Sequence, residues 1–252
     1  MRRRLAEMAD ALGVRTSVAH GRDRLVDLLD GRQRSPKKIR AQADELHLSL
    51  LLAFVLRPCS NCLDVGANRG HYLNDVRRLA PAGHHIAYEP LPHLWARLAE
   101  RFPEMDIRQR ALSDASGRTT FVHVEELEGY SGLRERPYPR DVATKTIEIT
   151  AERLDGNVPD GWLPDVVKID VEGATGLVLR GAIDTLRRAK PVVAFEYGRH
   201  AAQVYGVDNE EIYRILCHDV GLRLFDLDGN GPLGLSQFEE GLATRWNWVA
   251  HE

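Results

Sequence analysis

A glycine-rich turn follows the first short apolar run of the chain. It reads Asp64-x-Gly66-x-Asn68-x-Gly70, and Tyr72 begins the helical pattern after it. The glycines let the backbone approach a ligand closely, and Asn68 tolerates left-handed geometry better than most residues. Because parallel sheets bind ligands where their strands end, we expect all five residues to line a cofactor site. The alternative is a tight turn that binds nothing.

An acidic residue ends the second predicted strand. Glu89 lies roughly twenty residues beyond the turn, where a carboxylate can accept the hydroxyls of an adenosine ribose. Pro90 follows it and ends the strand. The turn lacks the G-x-G-x-x-G spacing of nicotinamide-binding proteins. We therefore expect Asp64 and Glu89 to surround an adenosyl sulfonium ligand, the alternative being that Glu89 is an ordinary surface acid.

Further groups able to move protons follow two later strands. Lys168 and Asp170 point to one face of a strand, since side chains alternate with a period of two, and Asp170 stands at the carboxyl end. A buried lysine needs an anionic partner, so we expect Lys168 to pair with a carboxylate. His200 is the histidine best placed to take a proton near neutral pH, unless it is an incidental loop residue.

The elements that must position these residues alternate between strands and helices. Such alternation is typical of βαβ units with a parallel sheet covered on both faces. Residues 119–122 and 144–149 predict two strands around a loop rich in glycine, proline and arginine, whose segment 129–140 we expect to close over the acceptor. The other predicted strands are 61–66, 85–88, 107–110, 166–169, 192–195, 222–225 and 246–250, and the predicted helices are 72–79, 94–101, 175–186 and 209–220, with helical spacing also from Ala41 onward.

Composition narrows the class of protein. The 252 residues are 43% hydrophobic and carry a formal net charge of -3, which gives no reason to expect nucleic acid or an anionic membrane as partner. The apolar stretch 48–56 is far shorter than the ~20 residues of a spanning helix. Three cysteines, an odd number, suit a reducing cytoplasm. A cytoplasmic protein with a small-molecule partner fits these observations.

The chain divides into an N-terminal helical extension, 1–58, and one α/β domain, 59–252. Residues 1–40 hold eleven Lys/Arg against five Asp/Glu, and residues 5–12 predict an exposed helix. This basic segment could mark a contact in a homo-oligomer, a lid over an anionic acceptor, or only a solvated face.

Four motifs in order resemble the FkbM family of methyltransferases over residues 60–200. The most specific is Lys168-Ile169-Asp170-Val171-Glu172-Gly173. The glycine-rich turn, Glu89-Pro90 and Ala111-Leu112-Ser113-Asp114 support it. The resemblance implies a Rossmann-like class I methyltransferase fold, with a mainly parallel seven-stranded sheet, a reversed last strand, helices on both faces and a β-hairpin insertion.

The resemblance also implies S-adenosylmethionine as methyl donor and O-methylation of a sugar, glycoside or related natural product. It places Ser113, Asp114 and Ser131 in the cofactor pocket and Glu196 at its edge. Where the family commonly has a second glutamate, this chain has Thr175. The side chain at this position therefore supplies no carboxylate.

Methyl transfer from a sulfonium requires mainly that the acceptor oxygen be aligned and lose its proton. In the family's strand order Asp170, Glu172 and Glu196 meet at one edge. Either one of these acids or His200 is the general base, or Asp170 and Glu196 bind Mg²⁺, which lowers the pKa of the acceptor hydroxyl. Two rival functions are a non-catalytic Rossmann-like binding module and a nicotinamide-dependent oxidoreductase.

Overall fold

The computed structural model describes residues 35–252. The predicted helix at residues 5–12 and most of the basic segment lie outside this range, so the predicted extension 1–58 is described only from residue 35 onward. The fold below belongs to one compact unit, Ala43–Glu252. Within the described part, no helix combines the length and apolar character needed to cross a membrane.

Seven of the ten strands found in residues 35–252 form the main sheet, in the order β3-β2-β1-β7-β8-β10-β9. Neighbours are parallel except that β10 runs antiparallel to β8 and β9. This arrangement confirms the expected class I methyltransferase fold with its reversed last strand. The strands are β1 Cys62–Val65, β2 Ile86–Tyr88, β3 Asp106–Arg108, β4 Ala111–Leu112, β5 Gly117–Val124, β6 Thr144–Glu152, β7 Val166–Ile169, β8 Val192–Glu196, β9 Arg223–Asp226 and β10 Asn247–His251.

Helices cover both faces of the main sheet. Leu63 and Val65 of β1 pack into one core, while Cys62 of the same strand packs into the other with Leu52 and Phe102. Strands buried on both faces explain why the sequence shows continuous apolar runs rather than alternation. The helices are α1 Pro36–Val55, α2 His71–Leu79, α3 Pro92–Arg101, α4 Thr175–Arg180, α5 Ile183–Ala189, α6 Arg199–Gln203, α7 Asn209–Tyr213, continued by a π-helix Arg214–Val220, and α8 Leu235–Gly241.

The predicted hairpin is present as part of a small second sheet, in the order β4-β6-β5. Strands β5 and β6 are antiparallel along their length. Phe121 and Ile149 on this sheet pack with Leu91 and Leu94, which lie at the start of α3. The loop between β5 and β6 is thereby held beside the carboxyl end of β2.

Two helix predictions need correction. The single helix predicted for 175–186 is broken at Gly181 and Ala182, between α4 and α5. Gly181 packs so closely there that a Cβ would lie 2.0 Å from the carbonyl oxygen of Ser113. The helix predicted for 209–220 is α-helical only to Tyr213 and then widens into the π-helix. The sequence analysis also missed α6 and α8, which are short.

Candidate active site

The glycine-rich turn crosses directly over the end of β7. Gly66 has φ +82°, and a Cβ there would lie 1.9 Å from the backbone oxygen of Asp170. The N–H of Asp170 in turn donates to the carbonyl of Val65 at 2.9 Å. Only glycine fits this crossing, which brings the turn and Asp170 together as predicted.

Glu89 ties the turn to the end of β2. Its side chain accepts hydrogen bonds from the backbone N–H of Asn68 at 2.8 Å and of Leu91 at 2.9 Å. Glu89 is 5% exposed, so it is not an ordinary surface acid. Burial raises its pKa to about 7, although the two N–H donors act in the opposite direction. Asn68 has φ +47°, the left-handed geometry that its residue type tolerates.

Gly70 and Tyr72 support the turn from the protein interior. Gly70 has φ +73°, and a Cβ there would lie 2.7 Å from the side chains of both Leu98 on α3 and Phe102, which directly follows α3. Tyr72 is 6% exposed and packs in the core beside Phe102. Both residues therefore have a packing role that the sequence analysis did not assign to them.

Asp64 is fully buried below the turn and pairs with Lys168. The Nζ of Lys168 lies 3.1 Å from Oδ1 of Asp64, 3.1 Å from the carbonyl of Gly66 and 3.6 Å from Oδ2 of Asp170. Burial raises the pKa of Asp64, and Lys168 acts against it. Burial by itself lowers the pKa of Lys168, but the two carboxylates outweigh it and keep the ammonium charged. The predicted pairing of Lys168 is confirmed.

Asp170, Glu172 and Glu196 form an acidic rim at the carboxyl ends of β7 and β8. Burial first, then the carboxylates of Asp170 and Glu172, raise the pKa of Glu196 well above its usual value, and Glu196 is hydrogen-bonded to Asp170. Two carboxyl groups can share a hydrogen bond only if one is protonated, and the raised pKa assigns that proton to Glu196.

Glu172 carries backbone strain and a cationic partner. It has φ +54°, which is uncommon for a residue with a side chain. Burial and then Asp170 raise its pKa to about 8, although its ion pair with Arg136 acts in the opposite direction. The Arg136 guanidinium also lies 4.9 Å from the ring centroid of Tyr130. The sequence analysis missed Arg136, because an arginine in a long loop has no periodicity that would reveal its partner.

The insertion loop lies over this acidic rim. A Cβ on Gly129 would be 3.8 Å from Oε1 of Glu172, and one on Gly132 would be 3.0 Å from the hydroxyl of Tyr205. Ser131, between them, is buried and its Oγ accepts the N–H of Val124 at 3.0 Å. Ser131 thus fixes the loop to the end of β5 beside the rim.

Ser113, Asp114 and His200 are the predicted site residues that the structure, within the residues it describes, does not join to the acidic rim. The Oγ of Ser113 donates to Asp114 at 3.3 Å, and Asp114 accepts from Arg180 at 3.4 Å, at the far end of α4. His200 is exposed on α6, although the carbonyl of its neighbour Ala201 lies against Gly173. In the described part of the chain, no hydrogen bond or ion pair joins Ser113, Asp114 or His200 to the acidic rim.

Thr175, which stands where the family commonly has a glutamate, has a structural contact of its own. It is fully buried at the start of α4, and its Oγ1 donates to the backbone carbonyl of Glu196 at 2.6 Å. The hydroxyl therefore fixes the end of β8.

The Mg²⁺ predicted for Asp170 and Glu196 finds no support. The ammonium of Lys168 already lies 3.6 Å from Oδ2 of Asp170, the carboxylate that the metal would need. Among the described residues, the acidic rim is not one of the groups of three side chains that converge closely enough to hold an ion.

Comparison with known proteins identifies the family. A model of the methyltransferase FkbM domain matches residues 64–224. A comparison with curated proteins found no match. The chain is similar to the FkbM methyltransferase of Methylobacillus flagellatus KT, with 15% identity and a TM-score of 0.49 over 78% of this chain and 44% of that one. It thus spans less than half the length of that relative.

Two further solved structures are similar at the level of the fold. One is precorrin-6y C5,15-methyltransferase from Geobacter metallireducens GS-15, with 15% identity and a TM-score of 0.40 over 72% of this chain and 73% of that one. The other is CalS10 from Micromonospora echinaspora, an amino pentose methyltransferase of calicheamicin biosynthesis with S-adenosylmethionine bound, with 16% identity and a TM-score of 0.32 over 69% of this chain and 55% of that one. The family model matches well over half of the sequence, including the turn, Glu89 and the acidic rim. The chain belongs to the FkbM family of methyltransferases.

Proposed function

We propose that this protein transfers a methyl group from S-adenosylmethionine to a hydroxyl of a small, oxygen-rich acceptor such as a sugar, a glycoside or a related natural product. The observation that carries the proposal is the crossing of Gly66 over Asp170, which joins a glycine turn to a carboxylate on the neighbouring strand. The cofactor site and the carboxylate that would accept the proton then lie at the same edge of the sheet.

The residues around the turn fit the proposed donor. Glu89 has one carboxylate oxygen bonded to the turn at Asn68 and the other bonded to Leu91, and each has a further lone pair for a ribose hydroxyl. Oδ2 of Asp64 is buried and has no hydrogen-bond partner among the described residues. A ligand rich in hydroxyl and ammonium donors suits these acceptors, and no phosphate-binding group is needed because the donor carries no phosphate.

S-adenosylmethionine, when bound, supplies a methyl group already activated by its sulfonium. The protein then has to orient the acceptor oxygen and hold its proton. We propose Asp170 as the group that accepts the proton of the acceptor hydroxyl, because its side chain is 41% exposed at the rim. Lys168 and protonated Glu196 contact Asp170 from two sides and fix its orientation.

The loop over the rim supports a small, hydroxylated acceptor. Arg136 and Glu172 offer donors and acceptors of hydrogen bonds, as polyhydroxylated ligands require. The backbone of Gly129 and Gly132 lies close to Glu172, so there is room for only a small ligand between them. We expect the loop to open for the acceptor and to close again during transfer.

Titration with S-adenosylhomocysteine tests the cofactor site. We expect micromolar-range binding, roughly -7 to -9 kcal/mol, and at least a roughly tenfold loss in Asp64→Ala and in Glu89→Ala. Glu100→Ala, which changes an exposed acid on α3, is the control and should bind normally. Unchanged affinity in both site variants would refute the cofactor site, and tight NADH binding instead would favour an oxidoreductase.

A methyl-transfer screen over sugars, glycosides and polyols tests the chemistry. Asp170→Asn should reduce turnover by about 10² to 10⁴ and leave S-adenosylhomocysteine affinity within a few-fold, because the amide cannot take the proton. Asp184→Asn, at an exposed position of α5, should keep full turnover. Full turnover in Asp170→Asn would refute the assignment, and stimulation by added Mg²⁺ would favour the metal alternative. Donor binding with no transfer to any acceptor would favour a binding module.

A further inference from the structure

A second group of metal-ligating side chains lies outside the acidic rim. His93, His123 and Glu128 each offer one ligand atom, and these atoms all lie within 4.8 Å of one another. They come from three elements: the first turn of α3, the strand β5, and a short 3₁₀ turn, Glu128–Tyr130, in the insertion loop. The fold therefore joins residues that are far apart in the sequence.

The internal contacts of the group leave ligand positions open. Nε2 of His93 lies 2.6 Å from Oε1 of Glu128, and the rings of His93 and His123 have centroids 5.4 Å apart. Oε2 of Glu128 contacts Arg69 of the glycine turn at 3.4 Å. Oε1 is thus the carboxylate oxygen that meets the imidazole of His93, and Oε2 is the one that meets the arginine.

An unsatisfied atom in the same group points to a ligand. Nε2 of His123 is buried and has no hydrogen-bond partner among the described residues. A buried polar nitrogen without a partner is costly, by about 1–3 kcal/mol, and calls for an explanation. An ion bound between His123, His93 and Glu128 would satisfy it.

The donor set selects the kind of ion. Two imidazole nitrogens and one carboxylate oxygen suit first-row transition metals, whereas Mg²⁺ and Ca²⁺ prefer oxygen ligands throughout. Zinc sites with two histidines and one glutamate are of this type and leave a fourth position open.

We propose that His93, His123 and Glu128 bind one divalent transition-metal ion, with Zn²⁺ as the ion that fits the donor set. The ion ties the insertion turn to α3 and β5, next to the glycine turn that Glu128 reaches through Arg69. It therefore holds the start of the loop whose following residues, from Gly129 to Arg136, lie over the acidic rim. This inference does not depend on the identity of the methyl donor or of the acceptor.

Metal binding to the untagged full chain tests the site. We expect calorimetry with Zn²⁺ to give one site per chain, and Co²⁺ to give visible absorption bands of a nitrogen- and oxygen-ligated ion. His93→Gln, His123→Gln and Glu128→Gln should each weaken Zn²⁺ binding by at least about tenfold. His84→Gln, which changes an exposed histidine outside the group, should leave the affinity unchanged.

Hydrogen exchange provides a second measurement, which weak binding of ions at the protein surface would not change. Zn²⁺ should increase protection of residues 125–136 in the unmodified protein and not in His123→Gln. Equal Zn²⁺ affinity in all four variants, or binding that leaves exchange of this segment unchanged, would overturn the proposal. Loss of the metal site with intact S-adenosylhomocysteine binding would show that the two sites are separate.

Discussion

Nζ of Lys168 lies 3.1 Å from Oδ1 of Asp64, a carboxylate with no exposed surface. The pair joins the neighbouring strands β7 and β1, where the two residues are in register. It stands directly below the glycine turn, since Lys168 also donates to the carbonyl of Gly66. An internal charge pair thus supports the proposed cofactor site.

Removing only the cation should lower the free energy of unfolding far more than removing both charges. Lys168→Met leaves Asp64 buried without its partner, which we expect to cost about 3–5 kcal/mol of unfolding free energy. The double change Asp64→Asn with Lys168→Met should recover a substantial part of that loss. Denaturant unfolding of the three proteins measures the coupling.

The exposed ion pair of Arg118 and Glu148 on the small sheet is the control. Arg118→Met should cost only a small fraction of the loss seen in Lys168→Met, because water screens this pair. Equal losses at the two positions would show that Lys168 has no special role under the turn.

Much of the main sheet could be predicted because its strands are buried on both faces. The strand predicted at 166–169 matches β7 residue for residue, and its apolar run is bounded by polar residues. The pairing of Lys168 also followed from the sequence, since a lysine inside such a strand must have a partner. Both conclusions depend only on local pattern and the cost of buried charge.

Contacts between distant segments could not be predicted in this way. Arg136 meets Glu172, and His93 meets His123 and Glu128, only because the small sheet holds the insertion loop against α3. The close packing at Gly181 likewise involves a backbone 68 positions earlier, at Ser113. Helical periodicity contains no information on such contacts.

The crossing at Gly66 predicts a large effect of adding one methyl group. Gly66→Ala should cost at least about 2 kcal/mol more than Gly156→Ala, because its Cβ would collide with the backbone of Asp170. Gly156 is a matched control: its φ is +83° against +82° at Gly66, and a Cβ there meets nothing within 4 Å. Backbone strain alone, about 1–2 kcal/mol, is then common to both variants.

Denaturant unfolding and S-adenosylhomocysteine titration check this comparison. Gly66→Ala should also lose most of its affinity for the ligand, whereas Gly156→Ala should bind normally. Similar stability and affinity in the two variants would mean that the turn is free to move away from β7.

The buried carboxyl of Glu89 predicts a dependence of stability on pH. Its pKa is raised from 4.5 to about 7, so the folded state holds the proton more tightly than the unfolded state. The contribution of this group is therefore fully present below about pH 4.5 and is lost as the pH rises through 7, by at most about 3 kcal/mol.

Unfolding of Glu89→Gln at several pH values isolates that contribution. The difference in unfolding free energy between the variant and the unmodified protein should shift in favour of the variant as the pH rises from about 5 to 8. Glu240→Gln, at an exposed position of α8, should show no such shift. A difference that stays constant across this pH range would mean that Glu89 ionises as readily in the folded chain as in the unfolded one.

A comparison of Thr175 with Thr185 separates the effect of a lost buried hydrogen bond on stability from an effect on the acidic rim. Both are fully buried, and both donate a hydroxyl hydrogen bond, Thr175 to the carbonyl of Glu196 and Thr185 to the carboxylate of Asp155. Replacing either by valine should cost about 1–3 kcal/mol, because the acceptor loses its partner.

Only Thr175→Val should also reduce turnover, since it frees the strand end that carries Glu196 against Asp170. We expect turnover to fall several-fold with S-adenosylhomocysteine affinity unchanged, and Thr175→Ser to restore most of it because the hydroxyl returns. Steady-state kinetics with an acceptor identified in the methyl-transfer screen, together with denaturant unfolding, measures both effects. If Thr185→Val lowers turnover as much as Thr175→Val at equal loss of stability, general destabilisation explains the result, and the threonine that replaces the family's glutamate has no part in placing the acidic rim.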